Sequence, residues 1–344
     1  MARQWSRVSS RSGSAKNPND NLRAAKSHKF CATGTKDGLI SGTAFQTRVL
    51  VTQPKRWSLK IARDAYIADL APDQSPDRTA PQRARGTARL VCHAKDGASR
   101  IATLHQQGAL KLLFPRPKRG LDAVMINTSG GVTGGDQLRV DARAARGSEL
   151  CITTQAAERA YRAHPGETAE ITTTLHVETD ARLHWMPQEM ILFDSCALSR
   201  KLHVTLEPGA EFLGVEPIVF GRTARGEELR SGLFHDEISI DLQDGDRFID
   251  RTRFQGDIAA RLDRPAIANG ARAVATVLYA GPKTERLLDL CRRALEPATG
   301  GASLLPSGLL VVRILAQDGF DLRTSLVPLL KQMTGHPLPA CWRL

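Results

Sequence analysis

The sequence predicts a mainly β fold, a solenoid-like or otherwise layered stack of strands, with two helices near the C-terminus. Three observations predict it. Six segments alternate apolar and polar side chains and are rich in β-branched residues: Leu138–Val140, Cys151–Thr154, Ile171–Val177, Arg182–Trp185, Leu202–Leu206 and Ile238–Leu242. A unit of strand, small-residue turn and strand recurs from Leu138, Leu175 and Leu202. Stacked units of this kind bury a continuous core. The intervals of 37 and 27 residues are irregular, and hairpins in a β-sandwich would leave much the same trace. Helical spacing appears only late. Thr284–Leu295 puts Leu287, Leu288, Cys291 and Leu295 on one face, and Asp321–Met333 does the same with Leu322, Leu326, Leu329, Leu330 and Met333. Pro328 has no N–H to donate, so it must kink the second helix or sit near its start. Between the helices, Gly308–Leu315 reads as a buried strand.

Residues 1–86 differ from this body. They are rich in Ser, Arg, Lys, Gly and Pro, and they end in the linker-like stretch Ala71–Gly86. A basic, disordered N-terminal extension is expected there, ahead of one domain at 87–344. Its Arg- and Ser-rich start resembles an organellar transit peptide, and Trp57–Leu70 could form a short helix. The formal charge of +12 is concentrated in this arm: residues 1–86 hold 16 Lys or Arg against 6 Asp, whereas the remainder holds 32 basic and 30 acidic residues. A nucleic-acid groove would show excess charge in the body, because phosphate contacts dominate affinity. No nucleic-acid partner is therefore expected. No membrane is expected either, since no apolar run approaches the ~20 residues of a spanning helix, and no secretory signal is expected. The six cysteines form no C-x-x-C pair. They read as small buried hydrophobes in a reducing cytosol, with Cys31 exposed in the arm.

The most distinctive segment is Ser129-Gly-Gly-Val-Thr-Gly-Gly-Asp136. Four glycines in six residues permit close backbone approach. A phosphate loop is excluded, because no Gly-Lys-Ser/Thr follows and the next segment is a strand. The loop reads as a tight turn between strands at 124–126 and 137–140, one that could present Asp136 into a cleft. Charged residues also interrupt apolar strands: Glu189 and Asp194 in Met186–Asp194, Glu216 and Arg222 in Glu216–Arg222, and Asp250 in Arg247–Arg253. Buried charge is costly unless paired or hydrated. Each such residue is thus either half of an ion pair or part of a polar interior passage. Paired carboxylates also suit glycoside hydrolysis, which makes a β-helical carbohydrate-active enzyme the alternative reading. Only 4 Trp and 3 Tyr are available to stack on sugars, however. Histidines 164, 176, 184 and 203 show no fixed metal spacing. His176 and His203 fall on one strand face, the solvated one.

Taken together, these segments resemble the UreD (UreH) family of urease accessory proteins over roughly Ala88–Leu344. The resemblance rests on the glycine loop with Asp136, Thr153–Arg162, Pro187-Gln-Glu-Met-Ile-Leu-Phe-Asp194, Phe220–Glu227 and Gly308–Arg313, all in the family's order. It implies a β-helical fold and a non-enzymatic role in nickel insertion into apo-urease. The implied partners are UreF, the GTPase UreG and apo-urease in the cytoplasm, within a complex that allows a dimer. A water-filled passage for transient Ni²⁺ is also implied, with no tightly bound cofactor. The acidic positions linked to that passage match Asp136 and Glu216, and Asp250 falls where Glu is frequent. Glu189, Asp194, Arg222, Tyr161 and Arg159 are the candidates for lining the passage or meeting partners. The chain departs from the family in its long basic arm, in Ser129 before the glycines, in Arg159 at a place usually held by Lys, and in its ending, Ala340–Leu344.

Overall fold

A strand with one apolar face must lay that face against another sheet, and here successive coils of the chain supply both sheets. The computed structural model describes residues 45–47 and 82–343, apart from 117–119 and 223–224. The expectations for Trp57–Leu70 and Cys31 lie outside those residues. The strands are β1 (Phe45–Thr47), β2 (Arg85–Lys95), β3 (Ala98–Gly108), β4 (Leu110–Leu113), β5 (Leu121–Asn127), β6 (Gln137–Ala144), β7 (Glu149–Thr154), β8 (Glu158–Ala160) and β9 (Ala169–Val177). They continue with β10 (Arg182–Met186), β11 (Met190–Leu192), β12 (Cys196–Leu206), β13 (Glu211–Phe220), β14 (Gly232–Asp241), β15 (Arg247–Gln255), β16 (Ala273–Ala280), β17 (Thr299–Leu304) and β18 (Leu309–Ala316). Helices α1 (Ile258–Leu262), α2 (Thr284–Ala294) and α3 (Gly319–Thr334) complete the chain.

The first sheet runs β1-β15-β14-β12-β9-β6-β2-β3, and the second runs β17-β18-β16-β13-β10-β7-β5-β4, with β11 and β8 beside β13. In the middle of each sheet the strands are parallel. The chain passes from β6 to β7, β9 to β10 and β12 to β13, one strand in each sheet per coil. This is the predicted β-solenoid. The late helices also stand where the spacing placed them, α2 starting at Thr284 as expected and α3 enclosing Asp321–Met333. Pro328 lies inside α3, well past its first turn. The five-residue α1, capped by Asp257 through Ala260 N, gave no periodic signal because it is little more than one turn.

The two inner faces meet in one core, containing Leu90, Val140, Leu175, Leu183, Val204, Phe212, Phe220, Phe234 and Phe254 among others. A second core forms where α2 and α3 cover the outer face of the second sheet, joining Leu213, Val215 and Val277 to Leu287, Cys291, Leu322, Leu326 and Trp342. Strand β13 lies between the two cores, so all ten of its residues are buried. Every inward side chain of β13, polar or not, therefore faces the interior of the solenoid.

The internal repeat is real but its alignment differs from the sequence reading. Leu138 pairs with Ile171 and Leu175 with Val204, not Leu138 with Leu175 and Leu175 with Leu202. The slips are of four and two residues. Even slips keep every side chain on its own face, so alternation alone cannot detect them.

Candidate functional site

Inward positions in β12 and β14 follow the even numbers: Leu198, Leu202 and Val204 in one strand, Phe234, Ile238 and Ile240 in the other. Arg200 and Asp236 occupy that phase and are cross-strand neighbours. Their side chains form a two-pronged ion pair, Nε to Oδ1 and Nη2 to Oδ2, both at 2.8 Å. Glu216 enters from β13 in the opposite sheet, with Oε2 2.7 Å from Arg200 Nη1. The Trp185 indole N–H donates to Glu216 Oε1 at 2.6 Å. Two carboxylates thus share one guanidinium in the buried interior. Burial pushes the Glu216 carboxyl above its usual range, although the charge of Arg200 opposes the shift. Burial would lower the Arg200 value, but Asp236 and Glu216 hold it above the ordinary arginine.

Space flanks this cluster on both sides. On one side lies a cavity of about 160 Å³ lined by Glu216, Arg200, Trp185, Thr173, Glu158 and Arg159, reaching Gly130 of the glycine loop. That volume holds several waters. Glu158 there accepts from Asn127 Nδ2 at 3.0 Å, and burial raises its carboxyl's pKa. On the other side a void of about 10 Å³ is bounded by Asp236, Asp250, Thr252, Thr276 and Arg313, room for about one water. Asp250 is ion-paired with Arg313, so that pair ties the first sheet to the second. A line of polar side chains thus runs along the solenoid interior from Glu158 through Glu216, Arg200 and Asp236 to Asp250.

The structure brings Glu216, Asp250 and Arg159 to these spaces. The other expected residues stand elsewhere. Asp136 is buried in the turn, where Oδ1 accepts from Ala84 N at 2.7 Å and Oδ2 from Thr133 N at 2.8 Å. It pins the start of β2 to the glycine loop. Losing that acceptor would strand two backbone donors, so Asp136→Ala is expected to cost about 1–3 kcal/mol of stability. Urea denaturation checks this; an unchanged midpoint would leave the carboxylate free for another task.

Glu189 lies under α3, 2.7 Å from Arg323 Nη1, whose guanidinium carbon stands 5.2 Å from the Trp342 ring centroid. The Trp342 indole N–H reaches Thr153 Oγ1 and Met186 O at 3.2 and 3.1 Å. Glu189 is therefore the salt-bridged acid, and it anchors the C-terminal segment. Asp194, Arg222 and Tyr161 gather at one edge of the solenoid. Arg222 stacks on Phe193 at 4.3 Å and pairs with Glu227, and the Tyr161 ring meets Phe193 edge-on at 5.0 Å. Asp194 Oδ1 accepts from Ser231 N at 2.8 Å. Gly131 belongs to the same edge, since a Cβ there would overlap the Tyr161 ring.

Sequence reasoning missed Arg200, Asp236, Trp185, Arg313 and Glu158. For Arg200 and Asp236 a signal existed: each is a charge placed in the apolar phase of an alternating strand. The histidine expectation holds for the face. His176 and His203 are partly exposed on the outer side of the first sheet, paired with Glu207 at 2.9 Å and Asp241 at 3.4 Å. His184 differs, since it sits on the second sheet's outer face, where burial pushes it down to about 4. Five described cysteines are free, and Cys92, Cys196 and Cys291 are buried. Among the described residues no three His, Cys, Asp or Glu gather closely enough to hold a metal ion, and no helix is long and apolar enough to cross a membrane.

Comparison with known proteins points one way. Residues 84–343 match the family model described as UreD urease accessory protein. A urease accessory protein UreD from Roseobacter denitrificans is 48% identical over 262 residues, covering 76% of this chain and 96% of that one. Another from Ruegeria sp. is 48% identical over 294 residues, covering 82% and 99%. A third from Rhizobium leguminosarum bv. viciae is 43% identical over 268 residues, covering 77% and 97%.

Proposed function

Because this chain belongs to the UreD family of urease accessory proteins and acts in urease maturation, we propose that it is a nickel-delivery scaffold of the cytoplasm. In this reading it has no catalysis of its own. It works in a complex with UreF, UreG and apo-urease, and its interior gives Ni²⁺ a weakly binding route. The observation that carries the reading is the placement of Glu216 and Asp236 deep in the solenoid, with open space on either side.

The chemistry suits transit. Tight nickel sites gather imidazole or thiolate. Carboxylates already held by a guanidinium attract a divalent cation, yet the cation must compete with Arg200 for them. Sharing that one guanidinium also disfavours the glycosidase alternative, which needs one carboxyl free to give a proton and the other free to attack or activate water.

The experiment is reconstitution. The full chain should co-purify with UreF, UreG and apo-urease, and nickel added to that assembly should generate urease activity. Dialysis of the isolated chain should show no tightly held nickel. A folded chain that binds none of the three, or one tightly retained nickel per chain, overturns the reading.

A further inference from the structure

The cluster inside the solenoid already holds a cation, the guanidinium of Arg200, and its bonds are divided unequally. Asp236 takes the parallel fork, Nε and Nη2 at 2.8 Å each. Glu216 takes a single bond, Nη1 to Oε2 at 2.7 Å. The two acids also border different spaces. Glu216 and Arg200 line the cavity of about 160 Å³, whereas Asp236 lines the void of about 10 Å³. The guanidinium therefore stands at the junction of the two spaces and is the group common to both carboxylates.

On the route proposed above, an ion moving between those spaces passes this junction. Two ionised carboxylates alone would present two formal negative charges, and close charges act strongly away from bulk water. A divalent cation would bind such a pair and stay. Burial lifts the Glu216 carboxyl above its usual range even with Arg200 in place, so an uncompensated charge here demands a cation strongly. Two carboxylates and one guanidinium leave one formal negative charge. That remainder can still attract an ion from the cavity. Glu216 Oε1 accepts the Trp185 N–H at 2.6 Å, and a carboxylate oxygen has a second lone pair.

We propose that Arg200 is a resident counter-ion that sets how strongly the route holds its cargo: by filling the cation place between Glu216 and Asp236, it keeps a passing divalent ion from being trapped there. This role rests on the nickel route and names the residue that makes its binding weak. It also assigns a selectivity. A monovalent ion has the charge of the guanidinium without its three directed bonds, so it does not displace Arg200. A divalent ion, with twice the charge, competes.

Arg200→Met provides the test. The methionine side chain ends near the place of Nε and vacates that of the two Nη atoms, where a cation can sit. Without metal, the full-length variant is less stable than the parent, since one partner of a buried ion pair is gone. Nickel should restore most of that loss, read as a urea midpoint, because a ligand that binds the folded state stabilises it. It should hardly move the parent's midpoint, and sodium at equal ionic strength should restore much less in the variant. On dialysis the variant should keep nickel that the parent loses, an affinity about tenfold higher or more. In the reconstituted complex it should nevertheless activate urease less. A purely structural Arg200 would leave nickel affinity unmoved. Adding Glu216→Gln to Arg200→Met should abolish the recovery, which separates it from nickel held by surface histidines. Arg200→Lys keeps the charge and should retain no more nickel than the parent. The proposal is overturned by an Arg200→Met variant that nickel does not restore, by recovery that persists with Glu216→Gln, or by equal retention in Arg200→Lys and Arg200→Met. A variant unfolded with and without nickel overturns it as well. If the parent complex activates urease and these results fail, the counter-ion falls and the route stands. A parent complex that leaves urease inactive removes the route and the counter-ion with it.

Discussion

Replacing Arg200 with methionine is expected to destabilise the chain by about 3–5 kcal/mol, the usual loss when one partner of a buried ion pair is removed. Methionine fills much of the space but leaves Glu216 and Asp236 facing each other in the core without a cation. The loss should depend on pH, and its sign follows from Glu216. Its folded pKa already lies above the usual carboxylate value through burial, and removing the guanidinium raises it further. A raised carboxyl contributes stability that is fully present below the unfolded pKa, about 4.3, and lost as pH rises through the folded value. The variant's deficit against the parent should therefore narrow in acid and widen towards neutrality. Urea denaturation of both proteins at pH 5 and pH 7.5 tests this. A deficit equal at the two values would mean that Glu216 is not the uncompensated charge.

Glu216→Gln tests function through the same cluster. The glutamine Oε1 can still accept the Trp185 N–H and Arg200 keeps both bonds to Asp236, while the Arg200 Nη1 bond is lost because the glutamine Nε2 donates and cannot accept. Fold and complex assembly should survive. What disappears is one negative charge between the two interior cavities. Nickel-dependent urease activation is expected to fall by about tenfold or more, the equivalent of ~1.4 kcal/mol or more of lost cation attraction. The measurement is activation by the reconstituted complex, beside a thermal melt and a co-purification control. Full activity would remove Glu216 from the route, whereas an unfolded variant would make its role structural.

The architecture was largely legible from the chain, because alternation, turn chemistry and late helical spacing are local signals. Register was not, since Leu138 and Ile171 meet only in the folded stack and an even slip costs nothing in the pattern. The site was half legible. Glu216 stands out in an apolar strand, but Arg200 sits beside Lys201 and looks like part of a solvated charge pair until its phase is compared with Leu198 and Leu202. Asp136 shows the opposite limit. Its place in a glycine-rich loop suggested display, whereas its geometry is that of a turn clamp, a difference made by two backbone N–H groups that sequence does not locate.

The unequal coils carry a consequence for how such a chain tolerates change in its gene. Equivalent inner positions are separated by 33 residues from Leu138 to Ile171 and by 29 from Ile171 to Arg200. The difference is absorbed at the corners between coils, where His164, Pro165 and Gly166 stand in solvent. Codons gained or lost there lengthen or shorten a corner and leave Arg200 where it is. One codon lost within β12 would turn every later side chain of that strand inside out, sending apolar residues to water and Lys201 or His203 into the core. Length in this protein is free to drift at the corners and held fixed along the strands.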